Sequence, residues 1–249
     1  MIWITGDTHR YFGWLEQFCQ EKKTTTDDVM IILGDAGINF YGPSRDDRLK
    51  EWLAQQPITL LCIHGNHEMR PENLYTYERT PWRGGEVWRE PLFPTLLFAR
   101  DGEVYDLDGV PSLVIGGAYS VDRMQRVAQG LGWWKDEQPD EATRARVEAV
   151  LEKRDWQIGA ILSHTCPLRC EPVEMFLTSI DQSGIDKTTE EWLNTLEEKA
   201  TYRRWFCGHF HTDKEYATHD DGRRICFMFH VVRGWKEANG LAEGERWMR

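Results

Sequence analysis

Eight side chains in this sequence have the types and spacings of metal ligands and acid–base groups: Asp7 with His9, Asp35, Asn66 with His67, His164, and His209 with His211. Each group follows a short apolar run. Alternate residues of an extended segment point the same way, so Asp7 with His9, and His209 with His211, can serve as paired ligands. Imidazole, carboxylate and amide donors suit Mn, Fe, Zn or Ni better than Ca, and the sequence has no cysteine cluster for a thiolate site. Roughly eight donors exceed what one four-coordinate ion needs and match two. Two ions about 3.5–4 Å apart can hold both sides of an in-line displacement at phosphorus and lower the pKa of bound water to about 7.

Positioning such groups at one place requires a sheet whose strands end together. Ile2–Ile4, Val29–Leu33, Ile58–Ile63, Leu113–Ile115, Ile158–Leu162 and Trp205–Cys207 are apolar runs bounded by glycine and polar residues, the pattern of buried strands. In open α/β sheets, functional groups collect beyond the carboxyl ends of the strands, which is where five of the eight histidines fall. Between the runs, helices are predicted over 14–22, 45–55, 140–153 with Asp140 as N-cap, and 188–199 with a Thr188–Glu191 capping box. Two stretches break the alternation. Residues 86–107 with 110–115 read as consecutive strands with turns at Asp101-Gly102 and Asp108-Gly109, and 214–217 with 224–232 read as a hairpin. These extra strands call for a second sheet within one α/β domain spanning 1–249.

The ordered set Asp7-x-His9, Gly34-Asp35, Gly65-Asn66-His67-Glu68, His164 and Gly208-His209-x-His211 resembles the calcineurin-like metallophosphoesterase superfamily. The stretch Gly117–Asp122 and Trp133-Trp134 are similar to an uncharacterised bacterial and phage branch of it. The resemblance implies two facing mixed β-sheets flanked by helices, a four-layer αββα sandwich. It implies that Asp7, His9 and His211 hold a first divalent transition metal and Asn66, His164 and His209 a second, manganese first among Mn, Fe, Zn and Ni. Asp35 would bridge the ions, with a water or hydroxide as nucleophile, and His67 would protonate or hydrogen-bond the leaving-group oxygen. Many relatives read GDxxD, whose second Asp orients that histidine; here Ile38 stands at that place.

The composition bounds the partners. The chain has 249 residues and a formal net charge of -11, which repels polyanions at long range and argues against a grip on extended duplex nucleic acid. It leaves room for a phosphate ester, because bound cations can invert the potential locally. Twelve tryptophans fit core packing before a stacking surface. The six cysteines read as reduced thiols. The first residues lack a signal peptide's basic start, and no run has the length of a membrane helix, so a cytoplasmic protein is expected.

Several neighbours of the site have competing readings. Arg10 and Arg126, then Arg70 and Arg123, are candidates to clamp phosphate oxygens or are surface charges. Trp133-Trp134 is a pocket wall or a core anchor, and Asn39 and Tyr41 line the pocket or pack. His64 reads as a packed strand histidine, and His219 and His230 as structural or exposed. The functional reading is hydrolysis of a phosphate mono- or diester. The alternatives are a nuclease on short or single strands, and a metal-loaded interaction module without catalysis; a redox metalloprotein fits the Asn66 and Asp35 donors poorly.

Overall fold

The computed structural model describes residues 1–242 and 245, except 177 and 179. Trp247 lies outside the described residues. Strands β1 (Ile2–Thr5), β2 (Val29–Ile32), β3 (Thr59–Cys62) and β6 (Leu96–Ala99) run parallel. With β4 (Glu78–Trp82), β5 (Gly85–Arg89) and β13 (Arg233–Gly234) they form a seven-stranded sheet of order β13-β1-β2-β3-β6-β5-β4. The second sheet takes β7 (Val104–Leu107), β8 (Val110–Ile115), β9 (Ala160–Ser163), β10 (Arg204–Cys207), β11 (Lys214–Ala217) and β12 (Arg224–Phe227) in the order β11-β12-β10-β9-β8-β7.

The central strands are almost wholly buried and mostly apolar because both faces are covered. Facing inward, Ile4, Ile31, Leu61, Val114, Leu162 and Phe206 pack the two sheets against each other. Facing outward, Trp3, Met30, Ile32 and Leu60 meet α1 (Leu15–Lys22) and α2 (Pro43–Ala54) through Leu15, Cys19 and Leu53. On the other side, Ile161, Trp205 and Ile225 meet α4 (Glu141–Glu152) and α5 (Thr188–Lys199) through Val147, Leu151, Leu193 and Leu196. The architecture is the expected pair of facing mixed sheets between helical layers.

Several local expectations change. Asp140 caps α4, its carboxylate accepting from the Thr143 amide at 2.8 Å. Thr188 instead begins α5, and Asp186 takes over, accepting from the Thr188 amide at 2.9 Å. Asp108-Gly109 closes the β7–β8 hairpin in left-handed backbone, φ 53° and 85°, as a two-residue turn requires. Asp101-Gly102 is a turn as expected, and the chain crosses there from the first sheet to the second. The last long strand stops at Phe227, and Arg233–Gly234 crosses back to pair with β1. A short helix, α3 (Arg123–Ala128), and the edge strand β4 were not expected; α6 (Trp235–Ala238) follows β13.

Candidate metal centre

The carboxyl ends of the parallel strands of both sheets converge. The first sheet brings Asp7 and His9 after β1, Asp35 after β2, and Asn66 and His67 after β3. The second brings His164 after β9, and His209 and His211 after β10. Close approach requires the glycine before each of two ligands: a Cβ on Gly65 would overlap Asp35 Oδ1, and one on Gly208 would overlap Asp7 Oδ1. His9, Asp35, His209 and His211 all take left-handed backbone, at φ 45°, 47°, 64° and 49°. Such conformations are unfavourable for residues with a Cβ and concentrate at functional sites.

Two groups of donors share Asp35. In the first, His9 Nε2 lies 2.9 Å from His211 Nε2 and 3.8 Å from Asp7 Oδ2, and His211 Nε2 lies 3.4 Å from Asp7 Oδ2. In the second, Asn66 Oδ1 lies 2.8 Å from His164 Nε2 and 3.1 Å from His209 Nδ1. Asp35 Oδ2 stands between them, 3.9 Å from His9 Nε2 and 3.6 Å from His164 Nε2. Ligands at metal distances of about 2.0–2.2 Å are separated by roughly 3–3.5 Å around the ion, so these separations suit two cation sites sharing one carboxylate. All seven expected ligands meet here, and His67 stands at their edge, its ring centred 5.4 Å from that of His9.

The electrostatics follow from burial among opposite charges. Burial opposes ionisation of Asp35, yet His164, His67 and His9 around it hold its carboxyl well below the usual range. Burial alone would lower His164, but Asp35 and Asp7 push it up to about 9. His209 is held well below the usual imidazole value by burial and by the neighbouring His164.

A supporting shell fixes the ligand atoms. Leu33 O accepts from His164 Nδ1 at 2.8 Å, which leaves Nε2 free to ligate. Asn66 Nδ2 donates to Ser120 Oγ at 2.9 Å, and Ser120 Oγ donates to Glu137 Oε2 at 2.6 Å, turning Oδ1 of Asn66 inward. The backbone amides of His209 and His67 donate to Asp7 Oδ1 (3.0 Å) and Asp35 Oδ1 (2.8 Å). Sequence reasoning missed the Ser120–Glu137 relay, since 17 residues separate its members and no spacing marks it.

The arginines are each engaged by protein groups. Arg10 donates to Gly37 O and Asp46 Oδ1, and Arg70 pairs with Asp101 at 2.7 Å. Arg123 lies over Trp133, 4.4 Å from its ring centre. Arg126 is 3% exposed; it donates to Gly132 O and, through Nη1, to His67 Nδ1. Ile38, at the place of the usual carboxylate, is buried in the layer under α1 and α2. Trp134 packs on Phe40 (5.6 Å), and Asn39 accepts from Tyr77 at 3.1 Å, so both are anchors. Tyr41 is exposed under the Arg45 guanidinium at 3.5 Å and is not among the residues lining the cavity. His64 is buried with its ring against Glu68 O (3.1 Å), His219 pairs with Glu197 (2.7 Å), and His230 is exposed.

The family model described as calcineurin-like phosphoesterase matches residues 1–213. Among solved structures, the TT1561 protein of Thermus thermophilus aligns with a TM-score of 0.52 at 14% identity, over 91% of this chain and 87% of that one. A phosphopantetheinyl hydrolase from Mycobacterium tuberculosis aligns with a TM-score of 0.47 at 16% identity, over 92% of this chain and 89% of that one. No curated protein matches the chain.

Proposed function

The chain belongs to the calcineurin-like phosphoesterase family, and from that premise we propose that it hydrolyses phosphate mono- or diesters with two divalent transition-metal ions, manganese first. The convergence of two donor groups on one shared carboxylate, Asp35, carries this reading. Asp7, His9 and His211 would hold one ion and Asn66, His164 and His209 the other, with Asp35 common to both. When bound, the ions supply Lewis-acid charge for a phosphoryl oxygen and acidify water.

The chain's own groups do the rest. Asp7 and Asp35 keep their second lobes on the His209 and His67 amides, so their geometry is set before a substrate arrives. His67 supplies a donor for the leaving-group oxygen. Because Arg126 donates to its Nδ1, the ring proton is assigned to Nε2, and the neutral ring donates from there. Arg126 thereby takes the orienting place that Ile38 cannot fill.

All six cysteines are buried and free, which supports a reducing compartment such as the cytoplasm, and no helix among the described residues is long and apolar enough to cross a membrane. The test is metal quantification with turnover of p-nitrophenyl and bis-p-nitrophenyl phosphate in added Mn²⁺. The expected result is two metal equivalents and turnover that Asp35→Asn abolishes; no metal bound after reconstitution would overturn the reading.

A further inference from the structure

The metal ligands open into a cavity of about 720 Å³ whose walls specify what else the substrate carries. Its far side is formed by Tyr119 and Val121 from the loop after β8, by Met175, Phe176 and Ile185 from the segment before α5, and by Phe210 from between two ligands. Phe176 and Phe210 lie nearly parallel, 6.3 Å apart at 22°. Val121 and Met175 are 42% and 43% exposed, so apolar surface stands open at the mouth. Apolar surface beside a cluster of polar groups is the pattern of a small-molecule site.

Beyond the metal ligands the ionisable groups are mostly carboxyls. Asp122, Glu171, Asp186 and Glu190 face the cavity. Among the described lining residues Lys187 is the one cation, and it is neutralised by Glu171 at 2.7 Å while lying 4.7 Å over the Phe176 ring. Arg10, Arg70 and Arg126 are engaged elsewhere. A second phosphate would meet carboxylates with no free cation to receive it.

We propose, resting on the hydrolase reading above, that the substrate is an ester of a single phosphate whose other part is an uncharged apolar or aromatic group seated against Phe176 and Ile185. This excludes polynucleotides and diphosphates as preferred substrates. The nuclease alternative, on short or single strands, loses on the charge of the wall.

The experiment uses the Mn²⁺-loaded full chain, with 2-naphthyl phosphate, phenyl phosphate, ADP and a single-stranded oligonucleotide as substrates, and calorimetric titration of 2-naphthylphosphonate. The expected order of kcat/KM is naphthyl, then phenyl, with ADP and oligonucleotide last. Phe176→Ala raises KM for the naphthyl ester roughly tenfold, about what one aromatic contact is worth, and shifts the phenyl ester less. Ile185→Lys, which places a cation on the wall, moves preference toward ADP. A preference of the wild type for ADP or oligonucleotide, or equal effects of Phe176→Ala on both aryl esters, overturns the proposal. Binding of the phosphonate, weakened in Phe176→Ala, without turnover of any ester would uphold the subsite and sink the hydrolase reading; neither binding nor turnover would sink both.

Discussion

At the scale of single residues, the most informative position is one where the family pattern fails. A carboxylate beside a histidine favours its protonated form and accepts from its ring; Ile38 can do neither and is buried with α1 and α2 instead. Arg126 reaches the same ring from the other chemical side, as a donor to Nδ1, anchored by its own bonds to Gly132 O. On the proposed reading, this arginine acts on the orientation and tautomer of His67. Arg126→Met is therefore expected to slow phenyl phosphate, whose leaving group needs a donor, by about 10–100-fold, and p-nitrophenyl phosphate far less. The double variant with His67→Ala should be no slower than His67→Ala alone, because both changes remove one interaction. Equal losses on the two esters, or additive losses in the double variant, would show that Arg126 only supports the fold.

At the scale of elements, what was legible follows from local chemistry. Buried parallel strands ending in glycine and a ligand are visible because apolar runs and donors sit side by side in sequence, as in β2 with Asp35 and β10 with His209 and His211. The edge strand β4, Glu-Arg-Thr-Pro-Trp, was invisible because an edge needs no apolar face and tolerates charge and proline. That β6 and β7 belong to different sheets was also hidden, since a turn dipeptide looks the same whether it closes a hairpin or a crossover. Of the site, the side chains that converge were legible and the Ser120–Glu137 and Arg126–His67 contacts were not, because they join residues 17 and 59 apart through tertiary packing.

Helix α5 carries a second consequence of tertiary burial. Glu190, in its first turn, is 4% exposed and accepts from Thr165 Oγ1 at 2.7 Å, with Glu171 and Lys187 nearby. Burial, only partly opposed by the Thr165 bond, pushes its carboxyl up to about 7. The folded protein thus holds a proton there that the unfolded chain releases near the ordinary carboxylate value. Stability from this group is full at low pH and is lost as pH rises toward 7, since the native state binds more protons in that window. Glu190→Gln keeps an acceptor for Thr165 and has no charge to bury. Its unfolding free energy in urea is expected to match wild type near pH 4 and exceed it at pH 8, by a difference on the order of 3 kcal/mol. A wild-type-to-variant gap that stays constant across pH would show that Glu190 does not titrate in this range.

At the scale of the whole molecule, neither sheet contains the centre: Asp7, Asp35 and Asn66 come from the first, and His164, His209 and His211 from the second. Donor separations of 2.8 Å to 3.6 Å across that boundary hold only while the sheets keep their spacing. Strands after the family match at residue 213 enforce it: β12 extends the second sheet beside β10, and β13 crosses to pair with β1 in the first. Trp235, directly after β13, is 1% exposed, lies 5.4 Å from Phe206 of β10, and donates from Nε1 to Leu107 O of β7 at 2.8 Å. One side chain on the first sheet's edge is thus bound by packing and by hydrogen bond to two strands of the second. Removing the indole leaves a large void and an unpaired carbonyl together, so Trp235→Ala is expected to cost about 3–5 kcal/mol in urea unfolding. Trp235→Phe keeps most of the packing and loses the bond, and should cost about 1–2 kcal/mol. Because each donor group draws on both sheets, Trp235→Ala should also weaken Mn²⁺ binding in calorimetry at temperatures where the variant remains folded. Unchanged metal affinity in a folded, destabilised variant would mean that the loops hold the centre without help from the packing between the sheets.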